Sequence, residues 1–128
     1  MSELVCLELS VILWLAHVLT EVATARAEFG DWYLFTPRDE RKTAKGLAHG
    51  RATRALANYV ENLGPFLALD LALIATQHAG GYGATVWIVA RIIYLPVYMI
   101  GTPVLRTGLW GISLVGLAMM FVRLTSAG

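Results

Sequence analysis

Residues 51 to 66 read RATRALANYVENLGPF and run directly into LALDLALIATQ, a composition suited to a membrane interior. On a helix of about 3.6 residues per turn, Arg54, Asn58 and Glu61 stand at i, i+4 and i+7. They fall within a few tens of degrees of one another and so line one face. Taking three such groups out of water is costly unless they pair with each other or grip something polar. The stretch is therefore either a packing device or a binding face, and its surroundings decide between the two.

Those surroundings are those of an integral membrane protein. Of 128 residues, 57% are hydrophobic and only 15% charged, with a mean hydropathy of +0.61. A soluble domain carries about a quarter charged residues. The apolar residues come in long runs rather than in spaced stripes. At roughly 20 residues per span, the chain holds at most four helices. They are expected near residues 4–25, 48–77, 84–100 and 105–123, as one all-α, up-down bundle occupying residues 1–128. HAGGYG breaks the second run from the third, and GTP the third from the fourth. The first run lacks a basic leader and exceeds a signal-peptide core, so it is expected to be a retained span. A formal net charge of +1, with no basic stripe interleaved with aromatics, speaks against a nucleic-acid partner. Cys6 is the only cysteine. It has no intrachain partner and is expected to be a small buried hydrophobe.

Basic residues give an orientation. Arg26, Arg38, Arg41, Lys42, Lys45, Arg51 and Arg54 crowd one stretch, and Arg106 joins them on the same side of an up-down bundle. Arg123 stands on the other side. The positive-inside rule then puts the basic side in the cytoplasm and both termini outside it, in a multi-pass membrane protein. Tyr94 and Tyr98, at i and i+4, share the cytoplasmic half with Arg54, Asn58 and Glu61, and Arg106 lies just beyond. The 16 residues from Asn62 to Gln77 rise about 24 Å, short of a hydrocarbon core of about 30 Å. Glu61 and Asn58 are therefore expected at membrane depth, facing protein or a polar cavity. Singly, these residues also fit a salt-bridge network, an aromatic belt and a surface anchor. Their convergence at one depth favours a polar pocket open to the cytoplasm.

Other polar residues carry less. His17 and Glu21, at i and i+4, are expected to form a buried hydrogen-bonded pair, since one histidine and one carboxylate are too few ligands for a metal. Asp70 is expected to pair with Arg91 across two helices, and His49 and His78 to sit at helix ends or in loops. No nucleotide loop, nucleophile elbow or metal cluster is present in the sequence.

With these spacings on four helices, the chain resembles the MAPEG family, the membrane-associated proteins of eicosanoid and glutathione metabolism. RALANYVENLGPF matches the second-helix pattern of the family, and RIIYLPVY followed by Arg106 resembles its third- and fourth-helix motif. The resemblance implies a homotrimer in the lipid bilayer, with glutathione as co-substrate bound between neighbouring subunits near the cytoplasmic surface. It implies that Arg54, Asn58 and Glu61 bind glutathione from one protomer and Tyr94, Tyr98 and Arg106 from the next. Arg106 would be the catalytic cation that stabilises the thiolate, and Arg26 a further basic position at the end of the first helix. Asn62 is a departure, standing where eukaryotic members carry an aromatic residue, and the chain looks like the small bacterial branch.

The expected function is a glutathione transferase or peroxidase acting on lipophilic electrophiles. A trimer that holds glutathione or a lipid without turnover is the alternative. A small multidrug exporter also has four helices, but its short, weakly charged loops fit poorly with the long basic first loop.

Overall fold

The computed structural model describes residues 1–35 and 46–128. Arg38, Arg41, Lys42 and Lys45, which carry much of the orientation argument, lie outside the described residues. Four helices follow in order, α1 Glu3–Phe29, α2 Leu47–Ala75, α3 Gly83–Ile100 and α4 Pro103–Ser126, with a short 3-10 turn at Asp31–Phe35. No strand occurs among the described residues.

The helix ends follow local chemistry. Ser2 caps α1 by accepting from the Val5 amide at 3.3 Å. The helix continues past Arg26 to Phe29, four residues beyond the expected end at Ala25, and stops at Gly30 with φ +85°. A cation is favourable in a last turn, so Arg26 was no reason to end it. At α4 the GTP sequence does not merely break a helix. Pro103 begins one, as a residue whose missing N–H costs nothing in the first turn. Between α3 and α4, Gly101 adopts a left-handed conformation with φ +87°. Arg51 lies against it and donates to the Met99 carbonyl at 3.1 Å.

Consecutive helices are antiparallel, α2–α3 and α3–α4 through the short turns at 76–82 and 101–102. Thr24 meets His49 at 3.1 Å, the Tyr59 hydroxyl donates to the Ser10 carbonyl at 2.5 Å, and Glu3 meets Gly80, so α1 descends as α2 rises. Among the described residues α1 and α4 do not pack together, whereas α2 and α3 each touch every other helix. The α2–α3 pair is thus the spine of the bundle. Tyr59, Phe66 and Leu73 recur every seven residues along α2 and meet Trp87 and Ile88 of α3. Phe66 and Trp87 stack at 3.9 Å between centroids. The α3–α4 contact is made at backbone range. A Cβ on Gly116 would stand 2.8 Å from the Gly83 carbonyl oxygen and 2.8 Å from the Trp87 nitrogen. Small residues allow this approach between membrane helices.

By length and composition, α1, α3 and α4 are long and apolar enough to cross a membrane. At 29 residues α2 is long enough, but Arg54, Asn58, Glu61, Asn62 and Asp70 dilute its apolar character, and it is not among them. Two expected polar pairs are not formed. Asp70 is fully buried on α2 with both carboxylate oxygens unpartnered among the described residues, while Arg91 bonds Asn58 instead. Twelve residues separate Asn58 from Asp70, about 18 Å along a helix, so Arg91 is several turns from the carboxylate. His17 turns its Nδ1 to the Leu13 carbonyl at 2.9 Å and stacks on Tyr59 at 4.5 Å, away from Glu21. Cys6 is fully buried, as expected of a small hydrophobe.

Candidate functional site

At the end of the bundle that carries the α3–α4 turn, a cavity of about 380 Å³ is lined by Arg54, Ala57, Asn58 and Glu61 of α2, Tyr94 and Tyr98 of α3, and Arg106 of α4. The α2 residues stand at i, i+3, i+4 and i+7, the spacing of a single helical face. Tyr94 and Tyr98 are one turn apart, with rings 5.6 Å between centroids and 55° between planes. The Arg106 guanidinium lies 4.8 Å from the Tyr98 ring centroid. A smaller recess of about 140 Å³ adjoins it, sharing Asn58, Tyr94 and Arg106 and adding Thr107 and Trp110.

The charges in this cavity are not spent on one another. Among the described residues one ion pair forms, between Arg26 and Asp31 at 2.5 Å, and both partners are mostly exposed. Arg54, Arg106 and Glu61 take no part in it, so a salt-bridge network that merely ties helices together is absent among the described residues. Two cations, one carboxylate, an amide and two phenols thus border a space large enough for a small polar ligand. Arg26 lines no part of the cavity, and within the chain it is not brought to the other six.

Behind the cavity stands a residue whose part here the spacing alone did not suggest. Arg91 is fully buried. It donates from Nη1 to Asn58 Oδ1 at 2.9 Å and lies 4.3 Å from the Tyr94 centroid and 5.5 Å from that of Tyr59. Its signal in the sequence is the run Arg91, Tyr94, Tyr98, at i, i+3 and i+7, which places all three on one side of α3.

A larger cavity, about 570 Å³, lies at the opposite end, lined mostly by apolar residues of α4 together with Glu3 and Arg123. Its charged groups are already committed to the α2–α3 turn. Glu3 Oε1 accepts from the Gly80 and Gly81 amides at 2.8 and 3.1 Å, and Arg123 donates to the His78 and Ala79 carbonyls at 2.7 and 2.9 Å. The smaller cavity, with its uncommitted charges, is the candidate site. No group of metal ligands occurs among the described residues.

A family model described as the MAPEG family matches residues 5–126. No curated protein and no solved structure matches the chain.

Proposed function

Because the chain belongs to the MAPEG family across nearly its whole length, we propose that it is a membrane glutathione transferase or peroxidase that acts on lipophilic electrophiles. Family membership supports a membrane role in glutathione or eicosanoid metabolism. The observation that favours glutathione is the uncommitted charge set of the cavity. Glutathione offers two carboxylates and one ammonium, which suit Arg54, Arg106 and Glu61 as charge-assisted partners. Asn58 and the tyrosine hydroxyls add neutral contacts.

Catalysis needs the thiol as thiolate. A cation close to the sulfur favours that form, and Arg106 beside Tyr98 is the candidate. The thiol proton leaves to water. The sulfur then attacks an electrophilic carbon, and a C–S bond forms as the leaving group departs with its electron pair. With a lipid hydroperoxide the sulfur takes the terminal oxygen, releasing an alcohol and leaving a sulfenic acid, and the thiol of a second glutathione condenses with it to the disulfide, releasing the oxygen as water.

The same reading includes four spans, a cytoplasmic site and a trimer. The outward face of α2 carries Ala57, Gly64, Ala68 and Ala75, small residues of the kind that lets membrane helices approach closely. The deciding experiment is thermal unfolding of the detergent-purified protein against glutathione concentration. Binding to the native state stabilises it by about 2.7 kcal/mol at a hundredfold excess over Kd. Turnover of an aromatic halide and a lipid hydroperoxide follows in the same preparation. A Tm indifferent to glutathione sinks the proposal. Stabilisation without turnover leaves a non-catalytic glutathione-binding protein.

A further inference from the structure

Arg91 is fully buried in α3, and its Nε and Nη2 have no hydrogen-bond partner among the described residues. Among the described residues it has no acidic partner either. An uncompensated cation in an apolar interior is costly. What holds it is one hydrogen bond to Asn58 and the faces of Tyr94 and Tyr59. Two of these three residues, Asn58 and Tyr94, line the candidate cavity.

The stereochemistry of that contact is informative. A guanidinium can only donate, so the Asn58 atom facing it must be the amide oxygen. The terminal amide of an asparagine is otherwise ambiguous in orientation, and here Arg91 removes the ambiguity. Asn58 Nδ2 has no partner among the described residues and is left for the cavity. We propose that Arg91 is a positioning residue that fixes Asn58 with its NH2 group toward the cavity, so that this wall presents a donor and selects an anionic group of the ligand, a carboxylate or thiolate. The uncompensated charge acts in the same sense, because an anion in the neighbouring space offsets it at low dielectric. The choice of glutathione as the probe rests on the proposed function above.

The test has a ligand-free arm and a ligand arm, both on the full chain in detergent. The first is a double-mutant cycle on Tm with Arg91→Met and Asn58→Ala. If Arg91 holds Asn58, the two effects are non-additive by about 3 °C or more, with Arg91→Met less damaging once Asn58 is gone. Additive effects overturn the inference. The second arm measures glutathione affinity and the pKa of the bound thiol by ultraviolet titration. Arg91→Met is expected to weaken binding about tenfold or more and to raise the bound thiol's pKa. Arg91→Lys, which keeps a charged donor, should recover most of the pKa effect, whereas a merely structural arginine would leave that pKa unmoved. Unchanged affinity and thiol pKa in Arg91→Met overturn the inference. Should Arg91→Met fail to fold, Arg91→Leu, which likewise removes the donor and the charge, takes its place in the cycle under the same criterion. A wild-type protein that binds no glutathione defeats the glutathione reading, and the cycle then decides the role of Arg91 by itself.

Discussion

Arg54, Glu61 and Arg106 border one cavity yet are expected to fail differently when removed. Arg54→Ala and Glu61→Gln each take away one charge-assisted contact to the proposed ligand. Such contacts are worth about 1.5–3 kcal/mol, or roughly 10- to 150-fold in glutathione affinity. Arg106→Ala should leave much of the binding in place but lower the thiolate absorbance of bound glutathione at neutral pH. Calorimetry and ultraviolet titration of the same three variants separate the two effects. If Arg106→Ala keeps the wild-type thiolate signal, Arg106 is an anchor on Tyr98 and the thiolate needs another cation. The side chains around the cavity follow from spacings visible in the sequence, since i, i+4 and i+7 fix a helical face whatever the helix packs against. The partners of the deeply buried groups do not. Asp70 and Arg91 are a plausible pair by sign and by counted depth, but helix tilt and the length of the turn at 76–82 set the actual level. Arg91 thereby meets Asn58 and Tyr94, and Asp70 is left unpartnered.

Helices were legible as elements because each apolar run is too long for anything else in a bilayer, and because glycine and proline punctuate them. Their ends were less so. A charge such as Arg26 sits comfortably in a last turn, and a proline such as Pro103 in a first one, so neither marks a boundary by itself. Nor does the sequence reveal which glycines are contacts. Gly83 and Gly116 touch backbone to backbone, whereas Gly108, on the same helix as Gly116, has nothing within 4 Å of an added Cβ. Gly116→Ala is accordingly expected to push α3 and α4 apart and to lower Tm, at a cost of about 1–3 kcal/mol. Gly108→Ala should be neutral or stabilising by up to about 1 kcal/mol, the helix propensity gained by replacing glycine. Thermal scans of the two variants in one detergent check the pair. Equal Tm values would mean that the α3–α4 interface yields to a methyl group and that the close approach does not limit the packing.

At the scale of the whole molecule, orientation and assembly remain as measurements. Arg26, Arg51, Arg54 and Arg106 gather at the end that carries the candidate site, so reporter fusions near Leu47 should read as cytoplasmic and fusions at the C-terminus as outside. A cytoplasmic C-terminus would move the site to the other face of the membrane, away from cellular glutathione. Assembly is the larger question, because α1 and α4 leave α2 with an uncovered face on which Arg54, Ala57, Glu61, Gly64, Pro65 and Ala68 are exposed. Charged groups are poorly tolerated against lipid, so a helix with Arg54 toward its end and Glu61 at the membrane depth expected of it needs a protein or aqueous neighbour on that side. The small residues below them suit a closely packed helix from another copy. In the proposed ring of three protomers every such face is covered, and the end of α1, where Arg26 pairs with Asp31, is proposed to border a neighbour's site. A single cysteine introduced at Ala68 should therefore cross-link only between copies that share this face, since Cys6 is buried and unreactive by access. Sizing of the detergent complex should give three chains, and bifunctional amine cross-linking should produce a ladder that ends at three. A ladder that stops at two would remove the third protomer that the proposed trimer requires.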